Sequence, residues 1–166
     1  MKIKTRDFVL RSLKLKDVNI LWKNYDDKDV KRAMVFSETE KQWKKEFKEN
    51  LRKKPKGSDS LVIEINGNAI GMISLNDIIP KLKAKSSSWI GKEYRGKGIM
   101  TKAKRLVLPY WFKKYRLRRI YALCRIFNKA SARALEKSGY KREGVLRKNT
   151  LKRGKYHNDY MYAIIK

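Results

Sequence analysis

Tyr94-Arg95-Gly96-Lys97-Gly98-Ile99-Met100-Thr101 lies between the apolar stretch Trp89-Ile90-Gly91 and a helix-like run from Thr101 to Tyr115. Two glycines one residue apart, where a strand hands over to a helix, leave several backbone N–H groups free and put no Cβ in the way of a ligand. Such a turn can hold a pyrophosphate, because the helix dipole adds positive potential there and Arg95 and Lys97 add full charges. By itself the pattern fits a purely structural turn equally well. It is not the dinucleotide fingerprint, since no third glycine stands at Ile99, Met100 or Thr101, and no Gly-Lys-Ser/Thr follows to make a P-loop. The ligand has to be argued from the rest of the chain.

A length of 166 residues suits one domain, 1–166, with a core that needs no disulfide or metal staple. Cys124 is the sole cysteine and falls inside the apolar run Ile120 to Ile126, which reads as a buried small hydrophobe rather than a nucleophile. No metal site is expected. No apolar stretch approaches a membrane span, and Met1-Lys2-Ile3-Lys4 lacks the apolar core of a signal peptide, so the expectation is a cytoplasmic protein with no membrane partner. The net charge of +28 attracts polyanions over a Debye length, roughly 8 Å in physiological salt. Contact with a ribosome or nucleic acid is one reading of that charge; a lysine-rich, generally basic surface is the other, because the charges are scattered along the chain. No RNP pattern, Gly-x-x-Gly clamp or Cys/His finger spacing is present. Monomer and homodimer both stay open.

In chain order, Ile3 to Leu10 reads as a strand, and Val18, Leu21, Trp22 and Tyr25 recur at helical spacing. Ser37-Glu38-Thr39-Glu40 is a capping box ahead of a second helix with Trp43, Phe47 and Leu51 on one face. Leu61 to Ile65 and Ala69 to Leu75 form a hairpin through Asn66-Gly67. Asn76 to Lys83 reads as a loop and Lys85 to Ile90 as the strand before the glycine turn. Pro109 predicts a kink in the following helix, at a cost of about 3 kcal/mol in a regular one. Arg119 to Phe127 reads as a central strand, Asn128 to Lys137 as a helix ending at Gly139, and Tyr140 to Leu151 with Tyr156 to Ile165 as a closing hairpin through Arg153-Gly154.

Four blocks then combine: Trp89-Ile90-Gly91-Lys92-Glu93-Tyr94-Arg95-Gly96-Lys97-Gly98-Ile99-Met100-Thr101, Asn128-Lys129-Ala130-Ser131, Leu135-Glu136-Lys137-Ser138-Gly139-Tyr140 and Glu143-Gly144-Val145-Leu146-Arg147. In this order and spacing they resemble the RimJ/RimL-like branch of the GNAT acetyltransferase superfamily over nearly the whole chain. The resemblance implies an α/β fold of the α+β kind, a mixed, mostly antiparallel central sheet flanked by helices with two splayed central strands. It also implies an acetyl-CoA-dependent N-acetyltransferase. On this reading the Arg95, Gly96, Lys97, Gly98, Ile99, Met100 and Thr101 segment wraps the CoA pyrophosphate. Pantetheine pairs along the strand edge at Ile90, Asn128 contacts the cofactor arm, and Ser131 is the catalytic hydroxyl near the thioester sulfur. Ser131 as a plain helix-start cap is the competing reading.

The chemistry requires an N–H that polarises the carbonyl, a group that takes the ammonium proton, and a donor to the departing sulfur. In the branch a Glu shortly before the Trp-Ile-Gly block serves as base, and here Lys85 stands in that place, followed by Ser86-Ser87-Ser88. Asp77, Glu93 and His157 are the nearby alternatives, each also readable as an ordinary surface residue. An α-amino group of pKa about 8 is about a tenth neutral at pH 7, whereas an amine of pKa about 10.4 is neutral in about one molecule in 2,500. A weak base therefore favours a protein N-terminus, and the strong positive charge favours an acidic or ribosome-bound acceptor over polyamines and aminoglycosides. The alternatives are a small-molecule amine acetyltransferase and a catalytically weak acyl-CoA-binding or RNA-associated module.

Overall fold

The structure, a computed structural model, describes residues 2–34, 39–53 and 57–166. Eight strands form a single sheet: β1 (Lys2–Lys4), β2 (Val9–Ser12), β3 (Asp59–Ile65), β4 (Asn68–Ile79), β5 (Lys83–Ile90), β6 (Arg119–Arg125), β7 (Lys141–Lys152) and β8 (Lys155–Ile165). Their spatial order is β1-β2-β3-β4-β5-β6-β8-β7, antiparallel throughout except for the parallel β5–β6 pair. The helices are α1 (Val18–Tyr25), α2 (Lys28–Ala33), α3 (Glu40–Lys53), α4 (Ile99–Tyr115) and α5 (Lys129–Lys137).

The sheet separates two apolar clusters, as the period-two alternation of its strands requires. On one face Val107, Leu108 and Trp111 of α4 and Leu135 of α5 pack on Ile63, Ile73, Ala84 and Ile120. On the other, Trp22 and Tyr25 of α1 and Trp43 and Phe47 of α3 pack on Val62, Ala69 and Trp89. Tyr25 joins this second layer to β5, its ring centroid 5.5 Å from that of Trp89 in an edge-on contact. Gly91 lets α1 approach: a Cβ there would lie 2.1 Å from the Asn24 side-chain oxygen, while the Asn24 amide holds the Ala69 carbonyl at 3.1 Å.

Both predicted hairpins form with their tight turns, Asn66-Gly67 at φ of 49° and 79° and Arg153-Gly154 at 48° and 70°. Two expectations need correction. The first strand is two, because Thr5 turns the chain: its hydroxyl accepts from the Asp7 and Phe8 amides and donates to the Phe8 carbonyl, so that Lys4 pairs with Val9. The expected loop from Asn76 is mostly strand, since β4 runs on to Ile79 through an irregularity in which Asp77 takes φ of 51°. Helix α4 runs from Ile99 to Tyr115 with Pro109 inside it, and both Pro109 and Arg105, whose carbonyl the proline leaves without an amide partner, are exposed, where solvent can satisfy that carbonyl. Helix α2 went unread. Asp27 caps it, accepting from the amides of Asp29 and Val30 at 3.0 and 3.1 Å. Ser37 and Glu38 of the capping box lie outside the described residues, while the Thr39 hydroxyl accepts from the Gln42 amide at 3.4 Å at the start of α3.

Candidate active site

The ladder between β5 and β6 stops at Lys85 opposite Tyr121, and beyond that rung the two strands diverge. Each is held by its other neighbour: β5 stays paired with β4 up to Ile90, and β6 with β8 up to Arg125. The Gly91 amide donates to the Ile70 carbonyl at 2.8 Å, so strand alternation turns the backbone N–H and C=O of Ser88 and Ile90 away from β4 and into the gap. A cavity of about 770 Å³ fills this gap, lined by Ser86 to Ile90 and Ala122 to Arg125 of the two strands and by residues of the glycine turn, α5 and α2.

At the turn, Gly96 and Gly98 take φ of 76° and 73°, values an L side chain rarely adopts, and a Cβ on either would meet no atom within 4 Å. The glycines are thus required by backbone conformation, with open space beside them. The first helical bond of α4 is Lys102 N–H to the Gly98 carbonyl at 3.0 Å. Among the described residues, the amides of Gly96, Lys97, Gly98, Ile99, Met100 and Thr101 bond to no protein atom. Arg95 differs: its amide donates to the Lys92 carbonyl at 3.2 Å, and its guanidinium donates to the Ile90 carbonyl at 3.3 Å, Asp29 at 3.2 Å and Asp27 at 2.6 Å. Burial pushes the Asp27 carboxyl up, but Arg95 and the two capped amides outweigh it and hold it below the usual carboxylate range. Arg95 therefore ties the turn to α2 instead of presenting an unspent charge. Lys97 does not line the cavity; its ammonium lies 5.8 Å from the centre of the Tyr94 ring.

On the opposite wall the Asn128 side-chain oxygen accepts from the Ser131 amide at 3.1 Å and caps α5. The cap is Asn128, so the Ser131 hydroxyl is not the capping group; it lines the cavity beside the Cys124 thiol. Cys124 is buried, and burial pushes its thiol up against the opposing pull of Ser131. Lys129, Arg133 and Lys137, four residues apart on α5, also line the cavity and give its rim a basic edge. Lys104 of α4 lines it from beneath, 3% exposed, its ammonium 5.8 Å from the Tyr140 ring centre. The structure thus brings Ile90, Arg95, Gly96, Gly98, Ile99, Met100, Thr101, Asn128 and Ser131 onto one cavity.

The base candidates fare differently. Among the described residues Asp29 is the sole carboxylate lining the cavity, and it already accepts from Arg95. Lys85 is half-buried at the last rung of the parallel pair; Asp77 and Glu93 are exposed, and none of the three lines the cavity. His157 is half-buried behind Phe127, their ring centroids 6.2 Å apart. Asp159 is fully buried next to Arg125, but it accepts from Arg125, from Thr150 at 2.8 Å and from Asn149 at 2.8 Å. Burial raises that carboxyl and the three donors outweigh it, so it stays ionised with its lone pairs engaged.

Sequence reasoning passed over Asp27, although an Asp ahead of Lys28-Asp29-Val30 is a readable cap, and over the basic row at every fourth residue of α5. Lys104 too was visible, standing at an apolar position of the stripe formed by Val107, Leu108 and Trp111.

The acetyltransferase (GNAT) domain model matches residues 7–141. The chain is 36% identical over 124 residues to the "Probable N-acetyltransferase YjcK" of Bacillus subtilis, covering 72% of this chain and 67% of that protein. Two Escherichia coli enzymes are 30% identical: the ribosomal-protein-serine acetyltransferase over 97 residues, 58% of this chain and 54% of that one, and the spermidine N(1)-acetyltransferase over 98 residues, 58% and 53%. These two alignments span a little over half of the E. coli enzymes' length. The whole fold is shared with RimL, a ribosomal L7/L12 α-N-protein acetyltransferase solved in complex with coenzyme A disulfide-linked to one of its cysteines, at a TM-score of 0.86, 22% identity and coverage of 99% of this chain and 98% of that one. GNAT-fold acetyltransferases use acetyl-CoA. By its matched domain, its splayed eight-stranded sheet and its named relatives, the chain belongs to the GNAT family of N-acetyltransferases.

Proposed function

We propose that this enzyme transfers the acetyl group of acetyl-CoA to the α-amino group at the N-terminus of an acidic or ribosome-bound protein. The observation that carries the cosubstrate is the run of six unpaired amides, Gly96 to Thr101, at the mouth of the gap between β5 and β6. Those donors and the α4 dipole fit a diphosphate, and the basic row on α5 fits the remaining phosphate of the same carrier. Backbone groups of Ser88 and Ile90 provide the edge along which pantetheine pairs as an added strand would. Acetyl-CoA supplies the activated acyl group. Asn128 keeps its side-chain amide for the carrier arm while its oxygen caps α5, and Ser131 donates its hydroxyl proton toward the departing sulfur.

The acceptor follows from what surrounds the reacting end. With Asp29 tied to Arg95, the cavity offers no unengaged carboxylate among the described residues, so an amine that is already partly neutral at pH 7 is the better acceptor. Cations line the cavity at Arg32, Lys104, Arg125 and Arg133, which disfavours a polyamine and favours an acidic chain. The small-amine reading draws on the E. coli spermidine enzyme, to which this chain is as similar as to the ribosomal-protein enzyme. Competition between an acidic peptide with a free N-terminus and spermidine, read by mass spectrometry with acetyl-CoA, decides between them. Acetyl on the peptide α-amine is expected; acetylated spermidine beside untouched peptide would replace the protein acceptor with a polyamine.

A further inference from the structure

Lys104 is a cation in the wrong place for stability. It is 3% exposed, projects from α4 among the apolar residues Ala103, Val107 and Leu108, and makes no ion pair or hydrogen bond among the described residues. A buried ammonium without a carboxylate is normally replaced or paired, because desolvation disfavours it strongly. The titratable groups that face it are the Cys124 thiol on β6 and the Tyr140 phenol ahead of β7; Ser86 of β5, which lies 2.8 Å from the Tyr140 hydroxyl, and Leu135 of α5 line the same cavity. None of these is anionic at neutral pH, since burial pushes both Cys124 and Tyr140 up. Burial in turn brings the Lys104 ammonium down to about 8, which leaves it mostly charged at pH 7.

The direction of that charge is what matters. Lys104, Cys124 and Ser131 all line the same cavity, and the Cys124 thiol neighbours both the Lys104 ammonium and the Ser131 hydroxyl. We propose that Lys104 is a catalytic residue that stabilises the coenzyme A thiolate as it leaves, its ammonium meeting the negative charge that forms on sulfur beside Ser131. The neutral amine nitrogen forms its bond to the acetyl carbon, the carbon–sulfur bond breaks and its electron pair goes to sulfur; Lys104 offsets that charge, Ser131 passes a proton to the sulfur, and the proton shed by the acylated nitrogen restores the Ser131 hydroxyl through solvent. The placement on the coenzyme side argues against the acceptor's general base, which must reach the amine. This inference rests on coenzyme A occupying the cavity as proposed above.

The test uses binding and needs no acceptor. Calorimetry compares coenzyme A with desulfo-coenzyme A, which lacks the thiol, in the wild type, Lys104→Met and Lys104→Arg from pH 6.5 to 8.5. In the wild type, coenzyme A should gain on the desulfo compound by several-fold as pH rises, up to about tenfold for each unit by which the thiol is acidified. The gain should vanish in Lys104→Met and persist in Lys104→Arg, and Lys104→Met should melt at a higher temperature because a methionine suits the apolar wall. Equal weakening of both ligands in Lys104→Met would make Lys104 a pantetheine contact and overturn the thiolate role, as would an unchanged pH-dependent gain. Failure of every variant to bind either compound would overturn the coenzyme assignment itself, and the role of Lys104 with it.

Discussion

The groups that line the cavity follow two different principles. The turn, where the coenzyme is proposed to bind, is made mostly of backbone: six amides, two glycines in left-handed conformation, and the strand edge at Ile90. Beside it the cavity is lined by side chains already engaged with others, Arg95 with Asp27 and Asp29, and Arg125 with Asp159 and Thr150. Unsatisfied donors define a ligand site because they cost free energy until something binds; saturated networks define a wall. The contrast explains why the cosubstrate reads clearly and the base does not.

The largest expected effect is at the turn. In Gly98→Val the φ of 73° costs about 1–2 kcal/mol for a residue with a Cβ, and the branched side chain enters the space beside the amides. Because that Cβ would meet no protein atom, the fold should persist while affinity for acetyl-CoA drops by at least about a hundredfold, two to three charge-assisted bonds being worth about 1.5–3 kcal/mol each. Calorimetry together with a thermal melt separates the two; a melt that collapses along with the binding would make the glycine structural.

The proposed acceptor is tested by pH. Without a protein base, kcat/KM for a peptide acceptor should track the neutral fraction of its own α-amine and rise about fiftyfold between pH 6 and pH 8 for a pKa of about 8. Peptides whose α-amines differ in pKa should shift the curve one for one. A curve whose midpoint stays fixed across such peptides would reveal an enzyme base that the geometry does not display.

Ser131→Ala should lower kcat by about tenfold and leave acetyl-CoA affinity unchanged. That is below the usual contribution of a general acid, about 10²–10⁴, because a thiolate leaves with little help. Single-turnover kinetics would read it. Loss of affinity with kcat intact would return Ser131 to a packing role in α5.

How much of this was legible in the sequence follows the same division. Asn66-Gly67, Arg153-Gly154 and the glycine turn are local rules, written in residues whose backbone freedom fixes the geometry, and all three formed where expected. The splay of β5 from β6 came from the resemblance, and its cause is visible only in three dimensions: Trp89 and Gly91 bind β5 to α1 and β4, while β6 follows β8. The strand extension through Asp77 was hidden because an irregular strand with a positive φ and a nearby proline looks like a loop. Which groups face the cavity depends on pairs far apart in sequence, such as Arg95 with Asp27, that no spacing rule supplies.

That pair links the turn to α2, and it gives the smallest effect. Asp27→Asn keeps the cap of α2, since asparagine caps as well as aspartate, and removes only the charge facing Arg95. The Arg95 side chain is about a third exposed, so the ion pair is worth about 1 kcal/mol at most after screening, and acetyl-CoA affinity should weaken by no more than about fivefold. The sign with pH is fixed by the lowered carboxyl of Asp27. A depressed folded value contributes above the unfolded value, about 3.9, and is lost as pH falls through the folded one. The difference in thermal midpoint between wild type and Asp27→Asn should therefore hold level from pH 8 to about pH 5 and close below about pH 4. A difference that instead closed near neutrality would mean that the turn and α2 are coupled through another group, and that the tether between them is incidental to how the cavity holds its shape.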